Sequence, residues 1–352
     1  MALAEPAEIL GRTIPDRMKA VMFDAHGGID RVQIRDVPVP SLAPDEVLVS
    51  IRAVALNGFD PMVLRGLPTL PCPLPMVPCS DGAGEIVQRG AAVDPHRWPV
   101  GRRVSIVPLR PGLGVIGETL PGLAAQYRAV PEQALLPLPD ALSYVDAACL
   151  PTAYGTAHHM MVGRAKVARG ERVLILGAAG GVGTACVQLA RLAGAEVIAC
   201  ASSAAALDKL RALGAHHVID TSRQDMLGEV IRLFGKPSPW GGGGVDVVVN
   251  YLGGDSWGRS LACLCRGGRL VTCGASAGPE VTTDLRFVWS LEIDIIGSNG
   301  WDVGDQSKLL AMAADKRLRP LVHSVRPLAE YPQALQELID GAVIGKSVLE
   351  PG

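Results

Sequence analysis

Nowhere in the 352 residues do two cysteines form a Cys-x-x-Cys pair. The eight cysteines are scattered, and the spacing of Cys263 and Cys265 does not suit a zinc knuckle. Most lie in apolar runs, where a free thiol behaves as a small hydrophobe, so buried thiols in a reducing cytoplasm are expected. Long basic runs are missing too. With a formal net charge of only −2, the chain offers no electrostatic footprint for nucleic acid. No apolar stretch reaches the roughly 20 residues that span a bilayer, so no membrane association is expected. The opening MALAEPAEILGRTIPDR carries acids and an early proline instead of an unbroken apolar core. It reads as a flexible leader, residues 1–17, and not as a signal peptide.

What is present suits a well-buried enzyme of two domains: 48% hydrophobic residues against 19% charged. From 18 to 150, short runs such as EVLVSIRAVAL, GEIVQRG and RRVSIVPL alternate with Pro/Gly-rich turns, an all-β pattern. From 151 to 318 the pattern becomes strand, helix, strand, helix. RVLILGAAG, EVIACASS, HHVID, VDVVVN, GRLVTCG and IDIIGSN supply six apolar strands, which predicts an α/β domain with a doubly wound parallel sheet. Residues 319–352 read as strand, amphipathic helix, strand, and are expected to complete the first domain. GKPSPWGGGGVD, 235–246, breaks the regular layout and reads as a mobile surface loop.

GAAGGVG, residues 177–183, follows a strand and opens a helix, the context in which a glycine fingerprint carries meaning. In register, the three fingerprint positions are Ala178, Gly180 and Gly183. Gly180 leaves room for a pyrophosphate against the backbone, and Gly183 allows close packing of helix on sheet. Gly181 and Val182 lie at the helix N-terminus, whose free N–H groups and partial positive charge favour phosphate. At the end of the second strand, where an acid would select the free ribose hydroxyls of NAD, stand Ser202 and Ser203. That favours NADPH over NADH.

Together these features resemble the medium-chain dehydrogenase/reductase superfamily, and within it the zinc-independent quinone oxidoreductase-like branch. The resemblance is carried by MKAV, Asn57 to Asp60, PMVPCSDGAGEI, LPTAYGTA, GAAGGVG, VDVVVN, GRLVTCG and GKSVLEP. It implies a GroES-like β-barrel domain joined to a Rossmann domain, a homodimer, and Thr156, Gly274 and Lys346 as further cofactor residues. It also places Asn57, Ser80 and Thr152 where zinc-dependent members carry their Cys, His and Cys ligands. Neutral amide and hydroxyl oxygens bind zinc poorly. Phe59 falls where a proton-relay hydroxyl would stand, and residues 101–125 contain no cysteine for a structural zinc. No metal is expected.

Without zinc, the acceptor must already be activated. Hydride addition to an enone or a quinone spreads the new charge over a conjugated system, which hydrogen-bond donors can stabilise. Asn57, Ser80 and Thr152 are the candidate donors, and Tyr154 is a candidate proton source for which core packing is an equal reading. Asn57 also reads as a loop tie. Trp289 and Trp301 read either as an apolar wall for a flat acceptor or as packing. The expected activity is NADPH-dependent reduction of activated C=C bonds or quinones. The alternatives are a carbonyl or imine reductase or alcohol dehydrogenase of a biosynthetic pathway, and a non-catalytic NADPH-binding protein.

Overall fold

The computed structural model describes residues 8–9, 12–67 and 71–352. It divides into two compact units, one formed by 1–152 with 306–352 and the other by 153–305. The return to the first unit comes earlier than the 319 expected from sequence. Its physical reason is Gln306, whose buried amide donates to the Ser105 hydroxyl and the Ile106 carbonyl, both at 3.0 Å. The leader lies partly outside the described residues, but Glu8–Ile9 and Arg12–Thr13 pair as antiparallel strands within it.

The first unit is built on a seven-stranded sheet. Its centre is the ten-residue strand Glu46–Ala55, which pairs antiparallel with Asp81–Arg89, Tyr127–Pro131 and Lys346–Glu350. Buried positions along Glu46–Ala55 are almost continuous, so this strand is enclosed on both faces. The closing strand–helix–strand segment appears as Val322–Pro327, Tyr331–Ile339 and Lys346–Glu350, and both of its strands join this sheet.

The second unit is a six-stranded parallel sheet with the order third, second, first, fourth, fifth, sixth. In chain order the strands are Arg172–Ile175, Glu196–Ala201, His217–Asp220, Val245–Val249, Leu264–Thr272 and Asp294–Gly297. This is the Rossmann arrangement, whose strand order reverses between the first and fourth strands. Its helices start and stop where their caps dictate. Ala204–Leu213 begins at Ser203, whose side chain accepts from Ala206 N–H, and ends at Gly214 in the left-handed region. Residues 235–244 form an irregular turn with Trp240 fully at the surface.

Candidate functional site

Three neighbouring strands bring the first unit's polar residues together. Ala55 sits opposite Asp81, and Ala55 also sits opposite Val348, so the chain just beyond Ala55 meets the start of the Asp81 strand and the start of the Lys346 strand. Asn57, Ser80, Asp81 and Lys346 are all buried there. The Lys346 ammonium, only 2% exposed, donates to the Leu56 carbonyl at 2.7 Å, to the Asn57 amide oxygen and to Asp81 at 3.3 Å. Asn57 donates from Nδ2 to the same Asp81 oxygen at 3.0 Å. Its amide orientation is therefore fixed by chemistry, since a flip would set NH₂ against ammonium and oxygen against carboxylate.

Asp81 is the hub, and sequence reasoning did not single it out. Its second oxygen accepts from Thr152 twice, from the backbone N–H at 3.0 Å and the hydroxyl at 2.5 Å. The Thr152 N–H is free to do so because Leu150–Tyr154 forms a π-helical turn containing Pro151. Such widened turns release backbone donors from the helical ladder and recur at functional sites. The consequence corrects one expectation: the only hydroxyl proton of Thr152 is committed to Asp81, so Thr152 orients that carboxylate and does not donate to an acceptor. Lys346 is corrected too. The resemblance implies a cofactor role for it, but all three of its protons are spent inside this cluster. Two donors remain for an acceptor oxygen: the second N–H of Asn57 and the Ser80 hydroxyl, which has no hydrogen-bond partner among the described residues.

Asp60 supports the cluster from below. Its carboxylate accepts from the Asn57 backbone N–H at 2.6 Å, and complete burial pushes its pKa up to about 7. Next to Ser80, Cys79 takes a left-handed backbone with φ of 72°, unusual for a non-glycine residue. Gly117 packs directly on it, for a Cβ there would stand 2.4 Å from the Cys79 carbonyl carbon and 2.6 Å from the Ser80 nitrogen. The Cys79 thiol is buried and its pKa is pushed well up by that burial, so it is no nucleophile at neutral pH. Among the described residues, no group of three or more His, Cys, Asp or Glu side chains converges in a way that could hold a metal.

In the second unit, the glycine turn runs from Arg172–Ile175 into the helix Gly181–Ala193, with Gly180 as its N-cap. Gly183 has no alternative, because a Cβ would lie 2.4 Å from the Gly177 oxygen and 2.5 Å from Ala178 Cα. Gly180 differs. A Cβ there would meet nothing nearer than the Gly177 oxygen at 3.6 Å, so the protein's own packing does not require glycine. The bare backbone lies beside the N–H groups of Gly181 and Val182, which suits the pyrophosphate of a dinucleotide. Ala178 is fully buried and donates to the Cys200 carbonyl at 3.0 Å, which ties the turn to the second strand. Tyr251, at the end of the fourth strand, donates to the Gly177 carbonyl at 2.6 Å and so braces the turn. Only the placement of an aromatic residue at that strand end, in VNYLG, hinted at it.

Of the serines expected at the adenosine ribose, Ser202 is exposed and Ser203 is occupied as a helix cap, though its proton remains available. Asp220 ends the adjacent strand, opposite Ala201. Its carboxylate is engaged by the Ser222 hydroxyl at 2.6 Å and lies 3.9 Å from Arg223. Gly274 forms a tight turn in which the Thr272 hydroxyl donates to its carbonyl at 2.8 Å. Thr156 is half-buried on the helix Gly155–His158. Tyr154 is fully buried and accepts from Gln188 at 3.3 Å, the environment that its reading as a packed residue describes. The two tryptophans do not form one wall. Trp301 is buried over Gly155, where a Cβ would lie 2.6 Å from its ring, whereas Trp289 is 71% exposed.

Comparison with known proteins agrees with this geometry. The family described as alcohol dehydrogenase GroES-like domain matches residues 43–140, and the one described as zinc-binding dehydrogenase matches 181–315. The chain is 31% identical over 352 residues to a zinc-type alcohol dehydrogenase-like protein of Schizosaccharomyces pombe, covering 95% of this chain and 99% of that one. It is 29% identical over 351 residues to a chloroplastic quinone-oxidoreductase homolog of Spinacia oleracea, with 95% and 98% covered. A solved structure described as an NAD-dependent alcohol dehydrogenase superposes with a TM-score of 0.88 at 33% identity, over 95% of this chain and 100% of that chain. Among the described residues no helix is long and apolar enough to cross a membrane. The β-sheet unit with its polar cluster, the Rossmann unit with its glycine turn and these similarities over almost the whole length make the chain a member of the medium-chain dehydrogenase/reductase superfamily of oxidoreductases.

Proposed function

We propose that this protein is a zinc-free, NADPH-dependent reductase of conjugated acceptors, enones or quinones. The observation that carries the reading is the Lys346 ammonium, hydrogen-bonded to Asn57 and paired with Asp81 at the positions where zinc-dependent relatives hold their metal. The ammonium, Asn57 and Thr152 already occupy both oxygens of Asp81, and an amide with two hydroxyls offers no thiolate or imidazole for a metal. The similarity to a quinone-oxidoreductase homolog supports the same acceptor class.

When bound, the nicotinamide supplies hydride. Gly180, Gly181 and Val182 would hold its pyrophosphate, and the absence of an acid at Ser202 and Ser203 favours a 2′-phosphate. The chain's own contribution lies in the cluster. Lys346 draws electron density from the Asn57 amide oxygen, which makes the free Nδ2–H a stronger donor. Asp81 anchors the amide and Thr152 anchors Asp81, so the donor is aimed before any charge develops. The Asn57 N–H and the Ser80 hydroxyl then stabilise an enolate or phenolate oxygen, each at a few kcal/mol.

Oxidation of NADPH and NADH should be followed with a quinone, an unsaturated ketone and a simple aldehyde, with and without a chelator. Chelator-resistant use of NADPH with the conjugated acceptors is the expected result. Two of the similar proteins are described as alcohol dehydrogenases. Aldehyde turnover abolished by the chelator would establish that second reading and overturn the first.

A further inference from the structure

A reductase of enones needs a proton as well as a hydride, and the acids around the polar cluster are nearly all committed. Asp60 is fully buried and tied to the Asn57 N–H, Asp81 is bonded to Asn57, Thr152 and Lys346, and Tyr154 is fully buried with its oxygen accepting from Gln188. The Cys79 thiol is sealed in the core. Glu118 is different. It is half-buried, and its carboxyl has no hydrogen bond or ion pair among the described residues.

Its position is set by backbone contacts. The segment 117–124 is bound to 77–79 by four hydrogen bonds, from Gly122 to Val77, Leu123 to Pro78 and Cys79, and Ala124 to Pro78, at 2.6 to 3.1 Å. Gly117 abuts the Cys79–Ser80 peptide so closely that only glycine fits. Glu118 is therefore the residue next to a fixed contact with Ser80, one of the two free donors. Its carboxyl also feels the charges of Asp60 and Asp81, and burial together with those like charges raises its pKa to about 7. An acid poised there is half-protonated at neutral pH, the best compromise between holding a proton and giving it up.

We propose that Glu118 is the proton donor that completes reduction of a conjugated acceptor. The assignment rests on the enone-reductase reading above. Once hydride has added to the β-carbon, the electron pair of the C=C bond lies in the enolate, whose oxygen is held by Asn57 and Ser80. The Glu118 O–H bond breaks, its proton forms the new C–H bond at the α-carbon, and the enolate pair returns to that carbon as the carbonyl re-forms. The Glu118 carboxylate then recovers a proton from water, so one hydride and one proton are consumed for each C=C bond.

The test is reduction of an α-methyl enone by the native protein and by Glu118→Gln. Rate and configuration at the α-carbon are read together, with NADPH affinity by fluorescence titration as the control for folding. The native protein should give a single α-epimer. The variant should bind NADPH equally well, turn over at least about tenfold more slowly and give both epimers, because solvent protonates from either face. A purely structural role for Glu118 would not scramble the epimers. The same single epimer from Glu118→Gln at undiminished rate would overturn the assignment. If the native protein leaves the enone untouched, the underlying reading has failed and the assignment falls with it.

Discussion

At the scale of single residues, the Lys346–Asp81 pair is a buried charge system whose members depend on each other. Asp81 is 0% exposed and Lys346 2%, so removal of the ammonium strands a carboxylate in the interior. Lys346→Met should therefore lower stability by about 3–5 kcal/mol, read from urea unfolding, far more than a surface lysine would cost. Glu118 gives a pH signature instead. Its pKa is raised from 4.5 to about 7 on folding, so the native state binds more protons than the unfolded state between those values. The stability it contributes is complete below the unfolded value and lost as pH rises through about 7. Glu118→Gln should melt with the native protein near pH 4 and above it near pH 8, while Asp60, raised in the same window, keeps part of the slope in both. Thermal melts across that range decide the matter; parallel curves would mean that Glu118 is not desolvated. Asn57, Ser80 and Thr152 were legible in the sequence because family register places them one by one. The use each makes of its protons was not. Asp81 looked like any acid at the start of a strand, and its four donors come from positions up to 265 residues away.

At the scale of elements, the glycine turn separates two reasons for the same residue. Gly183 is demanded by the protein's own packing, so Gly183→Ala should lower the melting temperature and weaken NADPH binding together. Gly180 is not so demanded: its φ of −74° suits any residue and its Cβ would meet only ordinary contacts. Gly180→Ala should melt like the native protein yet lose NADPH affinity, as measured by fluorescence titration. Equal losses of stability for both would mean that the space at Gly180 serves the fold and not a ligand. This turn and its six strands were readable because βα alternation is a local signal, each strand announcing the next helix. The seven-stranded sheet was readable only as a list of strands. Its order is set by pairings such as Val348 with Ala55, which no periodicity reports. The return to the first unit at Gln306 was missed for the same reason, since its anchors at Ser105 and Ile106 lie some two hundred residues earlier.

For the whole molecule, the open question of assembly turns on one edge of the Rossmann sheet. Asp294–Gly297 is the last strand in the order and, among the described residues, has a neighbour on one side only, Leu264–Thr272. An unpaired edge of this kind presents backbone donors and acceptors that are normally blunted by charge, proline or cover. Here the sequence is Asp-Ile-Ile-Gly, with Ile295 partly exposed, and the preceding helix Leu285–Ser290 leaves Leu285 and Trp289 about seventy per cent exposed. Large exposed apolar side chains on the helix that leads into a bare edge fit an interface better than they fit solvent. The homodimer expected from the family resemblance would be built there, strand against strand, with Leu285 and Trp289 flanking the seam. Sedimentation of the native protein should then give a dimer, and Trp289→Glu should shift it toward monomer without loss of NADPH binding, because its helix leads into the sixth strand while the glycine turn follows the first. A native monomer, or a dimer indifferent to charge at both Leu285 and Trp289, would place the interface elsewhere or remove it.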